Sequence, residues 1–290
     1  MSTKFVLFSD IHEHAVFSPR ALFDKRFFGL MNSTFCRHGG YRMERVDAAV
    51  RTILDTLRPD LVIFTGDAVS TSDPREFEAA LKQLRPLIES GLPILFSPGN
   101  HDRYVHDRAC REAFERFRAE LTKNCPMTLP GVYETPDLRF AVIDCARPFT
   151  PVLSCGEMTP ETADFLEREA AKDDPRPLVC VGHFPLLGND KLKAFRHRLI
   201  GGERAEALLN AGKIALSVAG HVHMPFQRLD ARGYGELVVG SLTKHDILRE
   251  ITFDGGIFTV RDLTSDGKPR NCFFSQRLGA VFLSQKTPSS

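Results

Sequence analysis

The sequence predicts an α/β protein. Short apolar runs recur along the 290 residues, helical patterns separate the first of them, and the last three follow one another through turn residues with no helix between. The first two features argue for strands covered by helices on both faces of a sheet, and the third for antiparallel strands and hence a second sheet.

The runs "KFVLFSD", "DLVIFTGD", "PILFSPGN", "LRFAVIDC", "PLVCVGH", "KIALSVAGH" and "GELVVGS" are short, continuous and rich in β-branched residues, as strands buried on both faces are. After the first, Val46, Ala49, Val50, Ile53, Leu54 and Leu57 recur at helical spacing; after the second, Phe77, Leu81, Leu84, Leu87 and Ile88 do so. Downstream, "GELVVGS", "REITFDGG" and "IFTVRDLTSDG" read as antiparallel β. No internal repeat or low-complexity linker interrupts the chain. Residues 1–283 therefore read as one domain, with an insertion at about 18–41 and a disordered tail at 284–290.

Composition excludes little. Hydrophobic residues at 42% and charged residues at 26% are ordinary for a globular protein, and a formal charge of +1 exerts no general pull on nucleic acid. Cys36, Cys110, Cys125, Cys145, Cys155, Cys180 and Cys272 form no CxxC pair, and their odd number argues against a closed disulfide framework. They read as reduced thiols of a cytoplasmic protein. The first apolar run reaches Asp10 too soon for a signal-peptide core or a membrane span, so secretion by that route is not expected.

Five of the runs end alike. "FVLFSD" releases Asp10 and His12, "LVIFTG" releases Asp67, "PILFSPG" releases Asn100, His101 and Asp102, "LVCVG" releases His183, and "ALSVAG" releases His221 and His223. Strand tips and the loops after them converge on a crevice in open α/β sheets. Imidazole, carboxylate and amide oxygen together suit a borderline first-row metal. Asp10, His12, Asp67, Asn100, His183, His221 and His223 are too many for one tetrahedral ion; two ions sharing a carboxylate use the set well. Gly66, Gly99, Gly182 and Gly220, just before the ligands, are expected to let the backbone turn sharply and approach the ions.

In its ordered elements D-x-H, G-D, G-N-H-[DE], G-H and G-H-x-H, present as "DIH", "GD", "GNHD", "GH" and "GHVH", the chain resembles the calcineurin-like metallophosphoesterases from Phe5 to about Ser241. The resemblance implies a four-layer α/β/β/α sandwich of two mixed sheets, with a dinuclear site at one edge. It implies that Asp10, His12, Asp67 and His223 bind the first ion, that Asp67, Asn100, His183 and His221 bind the second, and that Asp67 bridges. The ions would be manganese, iron, zinc, nickel or cobalt, according to supply. His101, left without a metal, is then placed to hydrogen-bond a phosphate oxygen or to protonate a departing alkoxide, with Asp102 expected as the partner that orients it. Arg103 reads equally as a phosphate contact or as a solvent-exposed arginine.

Two ions roughly 3.5–4 Å apart lower the pKa of a bridging water, present hydroxide in line with phosphorus and absorb phosphoryl charge. The implied function is a dinuclear metal-dependent phosphoester hydrolase, acting as phosphodiesterase or phosphomonoesterase on a small phosphate ester such as a cyclic nucleotide. No serine or cysteine nucleophile is required, and "GHFPL" and "VGSLT" lack the G-x-S-x-G turn.

In the insertion, read as a helix, Phe23, Phe27, Phe28, Leu30, Met31 and Phe35 lie opposite Lys25, Arg26, Asn32, Ser33 and Arg37, with Asp24 breaking the pattern. Such a stripe packs on its own domain, or lies on a membrane or an acyl chain. The second option, taken with the resemblance to bacterial metallophosphoesterases that cleave the pyrophosphate of UDP-diacylglucosamine, implies the alternative function, a peripheral pyrophosphatase of that type at the inner membrane face. A noncatalytic metal-binding scaffold fits poorly, because no ligand is missing. No nucleic-acid partner is expected, since no basic, aromatic-interleaved groove pattern occurs beyond the insertion. His14 and His38 read as loop or outer residues; His106, His197 and His245 carry no assignment, and Lys244-His245-Asp246 reads as structural.

Overall fold

In a computed structural model, residues 2–14, 40–148, 154–187 and 197–270 are described. The aromatic stripe of the insertion and the 284–290 tail lie outside the described residues, as do Cys36, His38 and Cys272. The chain runs β1 (Thr3–Phe8), α1 (Glu44–Arg51, prolonged by a π turn over Thr52–Leu57), β2 (Leu61–Phe64), α2 (Pro74–Glu89), β3 (Ile94–Phe96), α3 (Arg108–Leu121), β4 (Gly131–Glu134), β5 (Arg139–Val142), β6 (Gly156–Glu157) and α4 (Pro160–Ala170). It continues with β7 (Leu178–Val181), β8 (Leu199–Ile200), α5 (Glu203–Asn210), β9 (Leu216–Ala219), β10 (Phe226–Leu229), β11 (Gly235–Val238), α6 (Leu242–His245), β12 (Leu248–Asp254) and β13 (Ile257–Leu263).

Two mixed sheets result, one in the order β13-β12-β1-β2-β3 and the other in the order β10-β11-β9-β7-β5-β4, besides a small β6-β8 pair. Successive strand side chains point to opposite faces, and here both faces are covered. Phe5, Leu7, Leu61, Ile63 and Ile251 of the first sheet pack against Phe140, Val142, Val179, Val181, Leu216 and Val218 of the second. The alternate residues Val6, Phe8, Val62, Phe64 and Phe96 meet Val46, Val50, Leu84, Leu87, Phe114 and Phe117 on α1, α2 and α3. On the far side, Ala141, Leu178 and Cys180 meet Ala163 and Leu166 of α4 and Ala205 and Leu209 of α5. That order of packing is the four-layer sandwich, and it explains why the strands read as unbroken apolar runs.

β12 and β13 pair antiparallel as expected, with Leu248 opposite Leu263, but β11 differs from expectation. β11 joins the second sheet in parallel beside β9, and α6 then carries the chain back, so that β12 lies antiparallel to β1 with Thr3 opposite Phe253 and Leu7 opposite Arg249. β1 would otherwise present an open edge in the middle of the molecule. The strands at the end of the chain therefore complete the sheet that its beginning starts.

Helix ends follow local chemistry. Asp73 and Glu76 form a reciprocal capping box at the start of α2, with Pro74 at its first position. The π turn ends at Arg58, in a left-handed conformation with φ 47°. The five described cysteines are buried and form no disulfide.

Candidate metal centre

β1, β2 and β3 are parallel, as are β7 and β9, so the carboxyl ends of each group face one way. Beyond the strands the loops continue to pair: Asp10 N–H donates to Gly66 O (3.0 Å), His12 N–H to Asp67 O (3.0 Å) and Glu13 N–H to Ala68 O (2.9 Å). The second sheet is tied to this edge by His221 N–H donating to Asp10 Oδ2 (3.1 Å) and by Ser97 Oγ donating to Ile143 O (2.7 Å).

Five expected ligands adopt left-handed backbone: Asp10 (φ 55°), His12 (54°), Asp67 (53°), His221 (70°) and His223 (60°). Each costs on the order of 1 kcal/mol or more for a residue with a Cβ. Tethers offset the strain. Ser241 Oγ donates to Asp10 O (2.8 Å) and Thr243 Oγ1 to Ile11 O (2.8 Å). Gly66 and Gly99 permit the close approach of two loops: a Cβ on Gly66 would strike the Gly99 amide, and one on Gly99 would overlap the Asp67 carboxylate. At Gly182 the expectation does not hold, because a Cβ there meets only the Ile143 methyl at 3.4 Å, an ordinary contact.

The ligand atoms of Asp10, His12, Asp67 and His223 lie within 4.8 Å of one another. His12 Nε2 is 2.9 Å from His223 Nε2, 3.7 Å from Asp10 Oδ1 and 3.6 Å from Asp67 Oδ2. Asp67 Oδ2 also lies 3.5 Å from His183 Nε2, and the His183 and His221 ring centroids are 5.1 Å apart. The carboxylate oxygen of Asp67 thus faces imidazoles of both expected sets.

Asp10 Oδ1, Asn100 Oδ1, His183 Nε2 and His221 Nε2 are buried and make no hydrogen bond. A buried polar atom without a partner is expensive and rare. All four are atoms whose lone pairs a cation would take, so the residues fit a metal centre. His183 Nδ1–H donates to Thr65 O, which commits its proton and leaves Nε2 as the ligand atom. Burial, then the neighbouring His183, hold His221 well below the usual histidine range, as a neutral ligand requires. Burial alone would raise Asp67, but His183 and His101 keep it well below the usual carboxylate range.

His101 stands beside this cluster, its ring 4.8 Å from that of His12 and stacked on Tyr104 at 5.1 Å. Its Nδ1 lies 2.6 Å from Ser70 O; a carbonyl only accepts, so Nδ1 carries the proton. Asp102 does not have the expected role of orienting His101. Its Oδ2 accepts from the N–H groups of Asp67 (2.9 Å) and Gly99 (2.8 Å), and its Oδ1 from Ala68 (2.8 Å) and Val69 (3.4 Å). Amides after the left-handed Gly66 and Asp67 converge on one carboxylate, a geometry that captures an anion. Burial, then the Asp67 charge, push Asp102 up to about 7 against those amides. Arg103 is half-buried rather than solvent-exposed: it pairs with Asp144 (Nη2–Oδ2 2.8 Å) and lies over the Phe114 ring.

A sequence profile described as calcineurin-like phosphoesterase matches residues 3–225, most of the chain. The chain belongs to that family. Curated relatives include the glycerophosphodiester phosphodiesterase GpdQ of Enterobacter lignolyticus, 29% identical over 155 residues, which are 49% of this chain and 50% of that protein. The cAMP/cGMP dual specificity phosphodiesterase MT0825 of Mycobacterium tuberculosis is 28% identical over 174 residues, 58% of this chain and 49% of that protein. The chain spans about half the length of the curated relatives it matches. Among solved structures, a dimetal phosphatase from Danio rerio superposes with TM-score 0.66 at 13% identity, over 94% of this chain and 99% of that one. Purple acid phosphatase PPD1 from yellow lupin gives 0.61 at 15% identity, over 93% and 53%. At such identities these structures speak to the fold, and the fold is that of the phosphoesterases.

Around this phosphoesterase centre stand residues that sequence patterns did not single out. His197 lies 5.2 Å, ring to ring, from His221, and Tyr41 lies 5.1 Å from His12. Neither follows an apolar run, which was the signal that found the ligands. Glu236 on β11 is fully buried and accepts from Leu186 N–H (2.6 Å) and Leu187 N–H (3.1 Å), holding the loop that follows His183; burial raises it to about 7. His14 and His106 are exposed, and Lys244-His245-Asp246 forms the end of α6, where Asp246 pairs with Arg45. Among the described residues no helix is long and apolar enough to cross a membrane.

Proposed function

We propose that the chain hydrolyses phosphodiesters at a two-ion centre, with Asp10, His12, Asp67 and His223 holding the first ion, Asp67, Asn100, His183 and His221 the second, and Asp67 shared. The observation that carries this reading is Asp67 Oδ2, 3.6 Å from an imidazole nitrogen of one set and 3.5 Å from one of the other. The donor set suits manganese, iron, zinc, nickel or cobalt. Bound there, two such ions acidify a water molecule and neutralise charge on the phosphoryl oxygens.

The chain's own groups do the rest. Asp102 fixes the loop that presents Asp67, through amides on both sides of it. Ser70 O holds the His101 ring in one orientation, so that the protonated ring offers a second N–H, at Nε2, to the leaving oxygen. Diesters rather than monoesters are favoured by the names of the relatives, which are phosphodiesterases.

Elemental analysis of protein purified without chelator should find more than one equivalent of transition metal. Asp67→Asn should lose metal and diesterase activity together. Full activity and metal content in that variant would overturn the shared-ligand assignment.

A further inference from the structure

Tyr41 lies at the metal centre, and the steps above do not use it. Its ring sits 5.1 Å from that of His12 and 6.3 Å from that of His223, tilted by 59° and 84°. It therefore leans on two of the first-ion ligands while remaining half-buried, with part of its surface open.

Its position is fixed from behind. The next residue, Arg42, donates its N–H to Thr243 O (3.1 Å), and Arg45 Nη1 donates to the same carbonyl (2.7 Å). Thr243 in turn holds the ligand loop through Ile11 O. Tyr41 and the Asp10–His12 loop are anchored to one residue, so the ring keeps its place relative to the ligands. Met224, immediately after His223, is 39% exposed, one of two large apolar side chains so exposed among the described residues.

A phosphate ester bound between the ions projects its organic arm past the imidazoles that hold them. An arm on the first-ion side would pass the Tyr41 ring, which stands 5.1 Å from that of His12. An aromatic ring attracts another by offset stacking or edge-to-face contact, and offers a small polyol nothing comparable.

We propose that Tyr41 forms a subsite for an aromatic or heteroaromatic arm of the substrate, of the kind a nucleotide or aryl phosphodiester carries, and selects such esters over glycerol-type ones. This rests on the phosphodiesterase reading above.

Calorimetric titration of the manganese-loaded protein with phenylphosphonate and with methylphosphonate, which share a head group and resist hydrolysis, tests the subsite directly. The preference for the phenyl compound should fall by about 3- to 10-fold in Tyr41→Leu and Tyr41→Ala, the range of an aromatic pair, and persist in Tyr41→Phe. Affinity for methylphosphonate should stay the same in all three. The kcat/KM ratio of bis(p-nitrophenyl) phosphate to glycerophosphocholine should fall in parallel. An unchanged phenyl preference in Tyr41→Leu overturns the subsite, as does an equal loss of both phosphonates, which would mark Tyr41 as a support for His12. A wild-type protein loaded with two ions that binds neither phosphonate and cleaves no diester would instead overturn the phosphodiesterase reading, and the subsite with it.

Discussion

Replacing Asp102 with Asn separates two roles for that residue. The carboxylate is 1% exposed, and each of its oxygens accepts from two backbone amides. A side-chain amide keeps one acceptor oxygen and, whichever way it is flipped, turns an NH2 group on two backbone donors. Two buried N–H groups lose their partner at about 1–3 kcal/mol each, so Asp102→Asn should cost about 2–6 kcal/mol and lower the Tm by roughly 3–10 °C. Because the amides belong to the loops of Asp67 and Gly99, metal affinity should fall as well. Scanning calorimetry with and without excess manganese, together with elemental analysis, reads both effects. His101→Asn is the comparison: it should keep Tm and metal while kcat falls by roughly 10²- to 10⁴-fold, and by less for a good leaving group such as p-nitrophenolate. If Asp102→Asn kept the wild-type Tm and metal content and reproduced the leaving-group dependence of His101→Asn, the backbone-frame role would be wrong and Asp102 would be the orienting partner of His101.

Gly99→Ala should abolish tight metal binding, because the new methyl would overlap the Asp67 carboxylate, whereas Gly182→Ala, with only the Ile143 methyl at 3.4 Å, should bind metal normally; equal affinities in the two variants would show that close approach at Gly99 is unimportant. Glu236 gives a pH effect of known sign. Its folded pKa of about 7 stands above the 4.5 of a free glutamate, so the fold favours the protonated form: its contribution is full below pH 4.5 and is lost as pH rises through 7. The loss is roughly 3 kcal/mol. Urea unfolding of wild type and Glu236→Gln across that interval should show a flatter profile for the variant, and a profile as steep as the wild type's would count against Glu236 as the source.

The proposed metal ligands were legible as candidates because each follows an unbroken apolar run, and the runs are unbroken because every central strand is buried on both faces. What could not be read was pairing between distant segments. The alternation in β12 says that it is a strand and not that it lies beside β1, nearly the whole chain away. Asp102 followed His101 and invited a side-chain partnership, yet three of its four partners are amides more than thirty residues earlier, aligned by the left-handed turn at Gly66 and Asp67. Arg103 found Asp144 at the end of β5, a contact set by how the two sheets stack. Tyr41 lies in an irregular segment and neither it nor His197 follows an apolar run, so only the folded arrangement brings them to the proposed ligands.

The first sheet contributes Asp10, His12, Asp67 and Asn100, and the second contributes His183, His221 and His223. Neither sheet alone can assemble a full coordination shell, and the ligands span the chain from residue 10 to residue 223. In kinetic terms, the proposed centre is expected to form among the last events of folding, since loops between such remote residues would close only after both sheets have formed and docked. Ions that bind only after the barrier has been crossed leave the rate of folding nearly untouched and slow the rate of unfolding. Metals held by the proposed ligands would therefore act as a latch between two preformed halves rather than as a nucleus, and the lifetime of the folded molecule, more than the speed with which it forms, would follow the metal supply.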